Sequence, residues 1–475
     1  MNRQFNKSQS LCLLIMMLMV PAVSNSQDQI TFSNEVLQEI QRYELQLEEL
    51  ESANGPFDAS LLEPLGAIAE LLTSVNDYEG VAEIQNRQLA LMRTTLGFEH
   101  PDLVPMVRAI IENQKRLGNW EEISDRLEYL RSLQAGIHGI HSVQVLTAIE
   151  DQAQWYLTRV SIDGEIRPAR NFMKARDLYE ELDDLAGDAF GEDSPEFSPW
   201  YYKRANNLAQ MISLLNSDDR LAGSILDELI RKDGTIKLEQ YTPFDSSVAD
   251  QIFGIGRRVS ILDGDRLIGE AYLRDGLSIV ANIQDIAEEA NDLEAQAMAS
   301  LYRGDFRVLL DSSNGSRDYG RAHEQLLEAG ISLERIEAVL NRPMPIPLPD
   351  FFSKFSDLEA YQSSILLQQE DSDEARINVG VFTAWDEDAR STSKPVSRDP
   401  LLNVTLPYHQ VDLAFRLSAR GKASSIDVLA SVPDEKEVGR KAYQALRDIQ
   451  FRPYIEAGKP KRLRDVQLRY FYFER

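Results

Sequence analysis

The chain has 475 residues, of which 43% are hydrophobic and 27% charged, and its formal net charge is −27. This length predicts about three domains of roughly 150 residues each, with enough core to fold without cross-links. The acidic balance argues against nucleic acid and anionic lipid as partners, because both would be repelled. Cys12 is the only cysteine, so it can form no disulfide within the chain.

A basic start and a short apolar run mark the N-terminus. Arg3 and Lys7 precede an apolar run over residues 11–20, and small residues then form two cleavage patterns within residues 22–26. The run is shorter than the ~20 residues that span a bilayer. The pattern predicts a cleaved signal peptide over residues 1–26 and a periplasmic location. The alternative is an uncleaved membrane anchor.

Residues 27–60 predict an N-terminal capping helix. Ser33 and Asn34 are suited to begin it, and Gly55 to end it. Its apolar residues are spaced 4-3-4-3, as in a coiled coil, at Val36, Ile40, Tyr43, Leu47 and Leu50. Two heptads are too few for a coiled coil, so we expect this face to cover the helices that follow.

Residues 61–216 repeat themselves. The triplet at 76–78 (Asn-Asp-Tyr) returns as Gly-Asn-Trp at 118–120, and the glycine after the following helix returns from Gly97 to Gly139, each time 42 residues later. A third copy of the loop, at residues 190–195, is displaced by about ten extra residues. Because a two-helix unit cannot bury its apolar face alone, the spacing predicts stacked helical hairpins.

These motifs resemble the tetratricopeptide family, in the long variety found in kinesin light chains. The likeness lies in the Asn-Asp-aromatic start of the second helix and in the Leu-Gly-x-x-His-Pro loop at residues 96–101. The resemblance implies a concave surface that binds peptides or proteins and no enzymatic activity.

Residues 217–342 keep a helical pattern without the clean period. Helices are predicted over 224–231, 292–303 and 319–341. Divergent repeats explain this pattern, and a helical spacer with its own packing is the alternative.

Proline alternates with apolar residues over 343–350, which predicts an extended, stiff linker at a domain boundary. The alternative is a docking site for an aromatic groove. Residues 351–410 then predict a connector, with a helix over 357–369, a strand over 377–382 and a polar loop.

Residues 411–475 predict a small α+β domain. A strand from Val411 and a strand over 424–431 flank a turn at Gly421, and a helix follows over 435–449. Phe-Arg-Pro at 451–453 and Gly-Lys-Pro at 458–460 precede an aromatic final strand. This segment has 14 Lys and Arg against 9 Asp and Glu, so its balance of +5 favours an acidic partner.

This order of elements resembles the TonB C-terminal domain, which implies that an exposed sheet edge pairs with an extended segment of an outer-membrane receptor. By that likeness the partner-binding strand is the last one, and its candidate residues are Arg464, Val466, Leu468, Arg469, Tyr470 and Tyr472. The alternative is that the aromatic residues pack against the helix. The chain lacks the family's long proline-rich spacer, which argues against energy transduction.

The motifs of catalysis and cofactor binding are missing. His138 and His141 fall in a predicted loop, and Gly254 and Gly256 lack the third glycine of a dinucleotide site. The sequence therefore predicts no catalytic residue, no metal and no cofactor.

Together these patterns predict a mainly α fold, a tetratricopeptide-like solenoid followed by a TonB-like α+β domain. The predicted function is a periplasmic protein–protein interaction scaffold, not an enzyme, that binds envelope proteins, with outer-membrane receptors among the candidates. Contact with a membrane would come through these partners or through an uncleaved anchor. The alternative function is a TonB-type energy transducer that keeps its N-terminal anchor. A third hypothesis is an enzyme with an unrecognised acidic site.

Overall fold

The computed structural model describes residues 24–162, 168–217, 270–312, 314–366, 376–384, 394–396 and 408–473. It divides into two compact units, Met1–Met106 and Val107–Arg475. The described helices are α1 (Ser24–Asn54), α2 (Leu62–Ser74), α3 (Tyr78–Leu96), α4 (Leu103–Leu117), α5 (Trp120–His138), α6 (Val143–Ile162), α7 (Pro168–Phe190), α8 (Ser198–Ser217), α9 (Glu270–Glu289), α10 (Leu293–Leu309), α11 (Gly315–Glu328), α12 (Leu333–Leu340), α13 (Phe355–Ile365) and α14 (Lys436–Asp448).

The strands are β1 (Met344–Pro345), β2 (Ile377–Ala384), β3 (Lys394–Val396), β4 (Tyr408–Leu417), β5 (Ala423–Val432), β6 (Phe451–Arg452), β7 (Tyr454–Glu456), β8 (Lys459–Lys461) and β9 (Leu463–Phe473). In the described part of the chain, no helix combines the length and the apolar character needed to cross a bilayer. The predicted signal peptide before Ser24, the predicted helix over 224–231 and the glycines at 254 and 256 lie outside the described residues.

In the first unit, α1 packs against α2, and α2 packs against α3. Val36, Ile40 and Leu47 are buried in one cluster with α2, and Tyr43 and Leu50 are partly buried beside them. The predicted apolar face of this helix therefore makes the expected contact. The helix begins ten residues earlier than predicted, at Ser24. No Pro or Gly lies between Ser24 and Ser33 to stop it.

The repeat predicted from the sequence recurs in the backbone where the second helix of a hairpin begins. Asn76 and Gly118 have positive φ angles of 60° and 70°. The next residues, Asp77 and Asn119, cap α3 and α5 with nearly the same conformation, φ −83°, ψ 73° and φ −84°, ψ 69°. Asp77 also accepts a hydrogen bond from the Gly80 N–H at 3.0 Å, as expected at an N-cap.

The helix ends recur as well. Gly97, Gly139 and Gly191 follow α3, α5 and α7 with φ angles of 100°, 84° and 85°, the region in which glycine alone is unstrained. In the second unit, each helix from α5 to α12 packs against the next described helix. The described chain is therefore mainly helical and built from repeated helical hairpins.

The proline-rich segment is extended, as predicted, but it is not a free linker. Met344, Ile346, Leu348 and Phe351 are at most 7% exposed. β1 within this segment pairs antiparallel with β6 of the C-terminal region. Every second residue here carries an apolar side chain, and the core gains from burying it. The prediction of an independent linker is therefore corrected.

Main-chain carbonyl groups of this segment accept hydrogen bonds from side chains on α8 and α10. The Tyr202 hydroxyl donates to the Leu348 carbonyl at 2.9 Å, and the Tyr302 hydroxyl donates to the Asp350 carbonyl at 2.5 Å. The rings of Tyr202 and Tyr302 also meet edge to face, with centroids 4.9 Å apart. The aromatic surface that binds the segment thus belongs to the same chain.

The C-terminal sheet has five strands in the order β3-β2-β9-β4-β5. β4 pairs antiparallel with β5 and with β9, and β2 pairs parallel with β9. α14 packs on this sheet through Val438, Ala442, Ala445 and Leu446, all buried in one cluster with β4 and β9. The predicted strand–turn–strand–helix order is confirmed. The sheet is larger than predicted, because β2 and β3 come from the segment expected to be a connector.

Candidate protein-binding site

The last strand, predicted to bind a partner, lies inside the sheet. β2 covers one side of β9 and β4 covers the other. Val466, Leu468 and Tyr470 are at most 2% exposed and belong to the cluster under α14. The prediction that this strand is the exposed edge is therefore wrong. β2, more than 80 residues earlier in the chain, occupies the position where the partner was expected.

The two predicted charge partners, Arg464 and Arg469, lie in different surroundings. The Arg469 guanidinium binds Asp412 on β4 through two hydrogen bonds of 2.7 and 3.0 Å. It therefore serves a cross-strand ion pair within the sheet. Arg464 is exposed near the start of β9. Tyr472 stands opposite His409 on β4 and Ala384 on β2, and its side chain lies outside the described positions.

β5 is the long edge of this sheet. Within the described residues it pairs with β4 alone, and it has ten residues against three in β3 at the other edge. Leu429 and Val432 are 41% and 60% exposed. An edge strand offers unpaired N–H and C=O groups to an incoming strand. The sequence carried a signal for this: β5 has Asp427 as its single charged residue, whereas edge strands usually carry guarding lysines.

Two irregularities in β5 interrupt its pairing with β4. The register shifts between Asp412 and Leu413 of β4, which leaves Leu429 of β5 without an opposite residue. A second shift accompanies Ser425, whose φ is 49°. Such bulges increase local twist and partly protect an edge. The regular stretch from Ala430 to Val432, next to Leu429, is therefore where a partner strand would pair most readily.

A buried ion pair fixes β6, in the C-terminal region, to the helices. Arg452, from the Phe-Arg-Pro motif, binds Asp305 on α10 through hydrogen bonds of 2.9 and 2.5 Å. Both side chains are at most 2% exposed. Tyr319 donates a further hydrogen bond to Asp305 at 2.9 Å. Burial alone would lower the pKa of Arg452, but the Asp305 carboxylate raises it above the ordinary value, so the guanidinium stays charged.

A second buried cation ties α8 to α6 and to the end of the proline-rich segment. The Lys203 ammonium contacts the carboxylates of Glu150 and Asp350. Burial alone would lower the pKa of Lys203, whereas its two carboxylate partners raise it. Burial raises the pKa of Glu150, and Lys203 opposes this. This cluster holds the extended segment in place.

Among the described residues, no group of three His, Cys, Asp or Glu side chains is arranged to hold a metal ion. His138 is the last residue of α5, and His141 lies in the turn that follows.

The chain is similar to several solved structures and to no family model or curated protein. It is similar to a Podosopora anserina protein described as a kinesin light chain with nearly identical TPR-like repeats. Two crystal structures of that protein are each 15% identical to this chain. The first covers 45% of this chain and 89% of its own, with a TM-score of 0.26, and the second covers 49% and 98%, with a TM-score of 0.27.

It is also similar to BtubC (BKLC) from P. vanneervenii, with 15% identity, coverage of 67% of this chain and 95% of that chain, and a TM-score of 0.27. Scores this low carry no argument about the overall arrangement. The repeated helical hairpins in this chain are therefore supported by the backbone conformations that recur at the helix starts and ends.

Proposed function

We propose that this chain is a periplasmic scaffold for protein–protein interaction, in which the helical repeats bind one partner and the C-terminal sheet binds another by strand addition. The exposed edge strand β5 is the observation that supports strand addition most directly. The N-terminal basic and apolar pattern supports secretion. The partners would be envelope proteins, with outer-membrane receptors among them, as the TonB likeness implies.

The sequence predicted strand addition at the last strand, β9, whereas we propose it at β5. Main-chain hydrogen bonds to an extended segment would supply affinity, and alternate side chains of that segment would set the register. The exposed Leu429 and Val432 would lose water on binding. Among the described residues β5 pairs with β4 alone, so its other side has no strand beside it there, and α14 lies on one face of the sheet.

Photo-cross-linking tests this proposal. A photoreactive residue at Leu429 is compared with one at Leu333, on α12, which is 49% exposed. In the cells that make the protein, we expect Leu429 to cross-link an envelope protein that Leu333 does not capture. Val432→Lys, which places a charge on the edge, should abolish that product.

The captured partner is then purified and added to the full chain. Hydrogen exchange should slow within residues 423–432 and stay unchanged in α12. Protection of other segments without β5, or equal capture at both positions, would refute strand addition at this edge.

A further inference from the structure

An open groove runs along one side of α8, between α7 and α9. It consists of two adjoining cavities of about 360 and 460 Å³ that share Tyr201 and Arg204. The opposite side of α8 carries Tyr202, Lys203 and Asn206, which hold the proline-rich segment through its main-chain carbonyls. Among the described residues, one side of this helix is therefore filled by the chain itself, while the other side is left open.

The cavity near the turn between α7 and α8 is strongly acidic. One guanidinium, that of Arg204, faces six carboxylates from α7, the turn and α9: Asp183, Asp184, Glu192, Asp193, Asp285 and Glu289. All of these acids except Asp183 are exposed. A concave surface lined by one sign of charge attracts the opposite sign more strongly than a flat surface does.

Two buried polar groups beside this charge lack a hydrogen-bond partner within the described residues. The Asn207 side chain is 2% exposed, lines the second cavity and has an unpaired Nδ2 amide. Asp183 is 8% exposed, and its Oδ1 is unpaired while Oδ2 binds Arg204 at 2.6 Å. Buried groups without partners are costly. A carbonyl oxygen would satisfy Asn207, and a cationic donor would satisfy Asp183.

Aromatic rings complete the surface. Phe197 and Tyr201 stack with centroids 4.9 Å apart and an interplanar angle of 18°, and both line the acidic cavity. An aromatic face next to carboxylates favours Arg and Lys side chains. Between Ser198 and Leu208, α8 rises by roughly 15 Å, which is the length of about five residues of extended chain.

We propose that this groove binds an extended segment, rich in Arg and Lys, of a partner protein. Asn207 donates to a main-chain carbonyl of the segment, and the carboxylates around Asp183 receive its cationic side chains. This inference rests on the proposed role as an interaction scaffold and names the chemistry of the partner that the repeats bind. It does not involve β5, so either site can fail without the other.

The test measures fluorescence anisotropy of a labelled eight-residue peptide of alternating Arg and Ala, added to the full chain. The variant Asp285→Asn/Glu289→Gln removes two groove carboxylates. The control Glu328→Gln/Glu334→Gln removes two exposed carboxylates on α11 and α12, so both proteins have the same net charge. We expect the groove variant to bind the peptide at least tenfold more weakly and the control to bind within twofold of the wild type.

Asn207→Ala supplies a readout that charge alone does not move. This substitution should lower the affinity for the peptide at least threefold at both low and high salt. The loss of affinity caused by the carboxylate variant should instead become smaller as the salt concentration is raised. Equal binding by the groove and control variants would overturn the proposal. So would no binding by the wild type, or self-association of the chain that the groove variant abolishes, since the occupant would then be a second copy.

Discussion

Replacing Arg452 by Ala tests how firmly β6, in the C-terminal region, is fixed to the helical region. The substitution leaves the Asp305 carboxylate buried, with the Tyr319 hydroxyl still donating a hydrogen bond to it. Removing one member of a buried ion pair typically costs about 3–5 kcal/mol, because the other charge stays uncompensated. With a urea dependence of about 2–3 kcal/mol/M, the unfolding midpoint should fall by about 1–2.5 M.

The double variant Arg452→Met/Asp305→Leu should recover most of this loss, because it removes both charges and fills the space with apolar atoms. It should remain about 1 kcal/mol below the wild type, since the Tyr319 hydroxyl then lacks its acceptor. The surface control is Arg440→Ala, which breaks an exposed pair with Glu437 and should leave the midpoint unchanged.

Urea titrations followed by tryptophan fluorescence measure all four proteins. A loss below about 1 kcal/mol for Arg452→Ala would show that the Asp305 charge is relieved by water or by rearrangement. The reasoning would also fail if the double variant were no more stable than the single one.

Three further predictions concern single sites. Gly421→Ala should lower the unfolding free energy clearly more than Gly139→Ala. Both glycines have positive φ, +73° and +84°, but a Cβ at residue 421 would lie 1.8 Å from the Phe451 carbonyl oxygen, whereas a Cβ at residue 139 would have no atom within 4 Å. Equal losses would show that backbone strain alone matters. Asp292→Ala should cost about 1 kcal/mol in urea unfolding, because the carboxylate caps α10 by accepting from the Ala295 N–H at 3.0 Å, whereas Asp292→Asn keeps the cap. Lys203 has a raised pKa, so its stabilising effect is complete below pH ~10.4 and is lost as pH rises through the folded-state pKa. Lys203→Met should therefore reduce the fall of the unfolding free energy between about pH 9 and about pH 11.5. An unchanged slope of unfolding free energy against pH would contradict this.

Local signals explain what the sequence predicted well. The helix start at Asp77, the glycine after each of α3, α5 and α7, and the helix α14 depend on residues within one or two helical turns. Their physical cause is therefore visible in the order of the amino acids. The spacing of 42 residues extended these signals into a repeat, and the backbone angles at Asn76 and Gly118 confirm it.

Pairings between distant segments could not be predicted in the same way. The strand pattern of β9 is identical whether a partner protein or β2 lies beside it, because alternation fixes the buried face and not the neighbour. The prolines at 343–350 indicate extended backbone but not its surroundings. Arg452 was visible in its motif, yet its partner Asp305 lies 147 residues earlier, beyond any periodic signal.

The placement of the proline-rich segment has a consequence for assembly. A flexible tether would let two bound proteins diffuse relative to each other, and their effective concentration would fall with tether length. Here the connecting chain is held between α8 and α10 by Tyr202 and Tyr302. Proteins bound at the α8 groove and at β5 would therefore be presented at a set distance and angle. In this chain the spacer is part of the interior, so the proposed scaffold would hold its two partners in a fixed relative position.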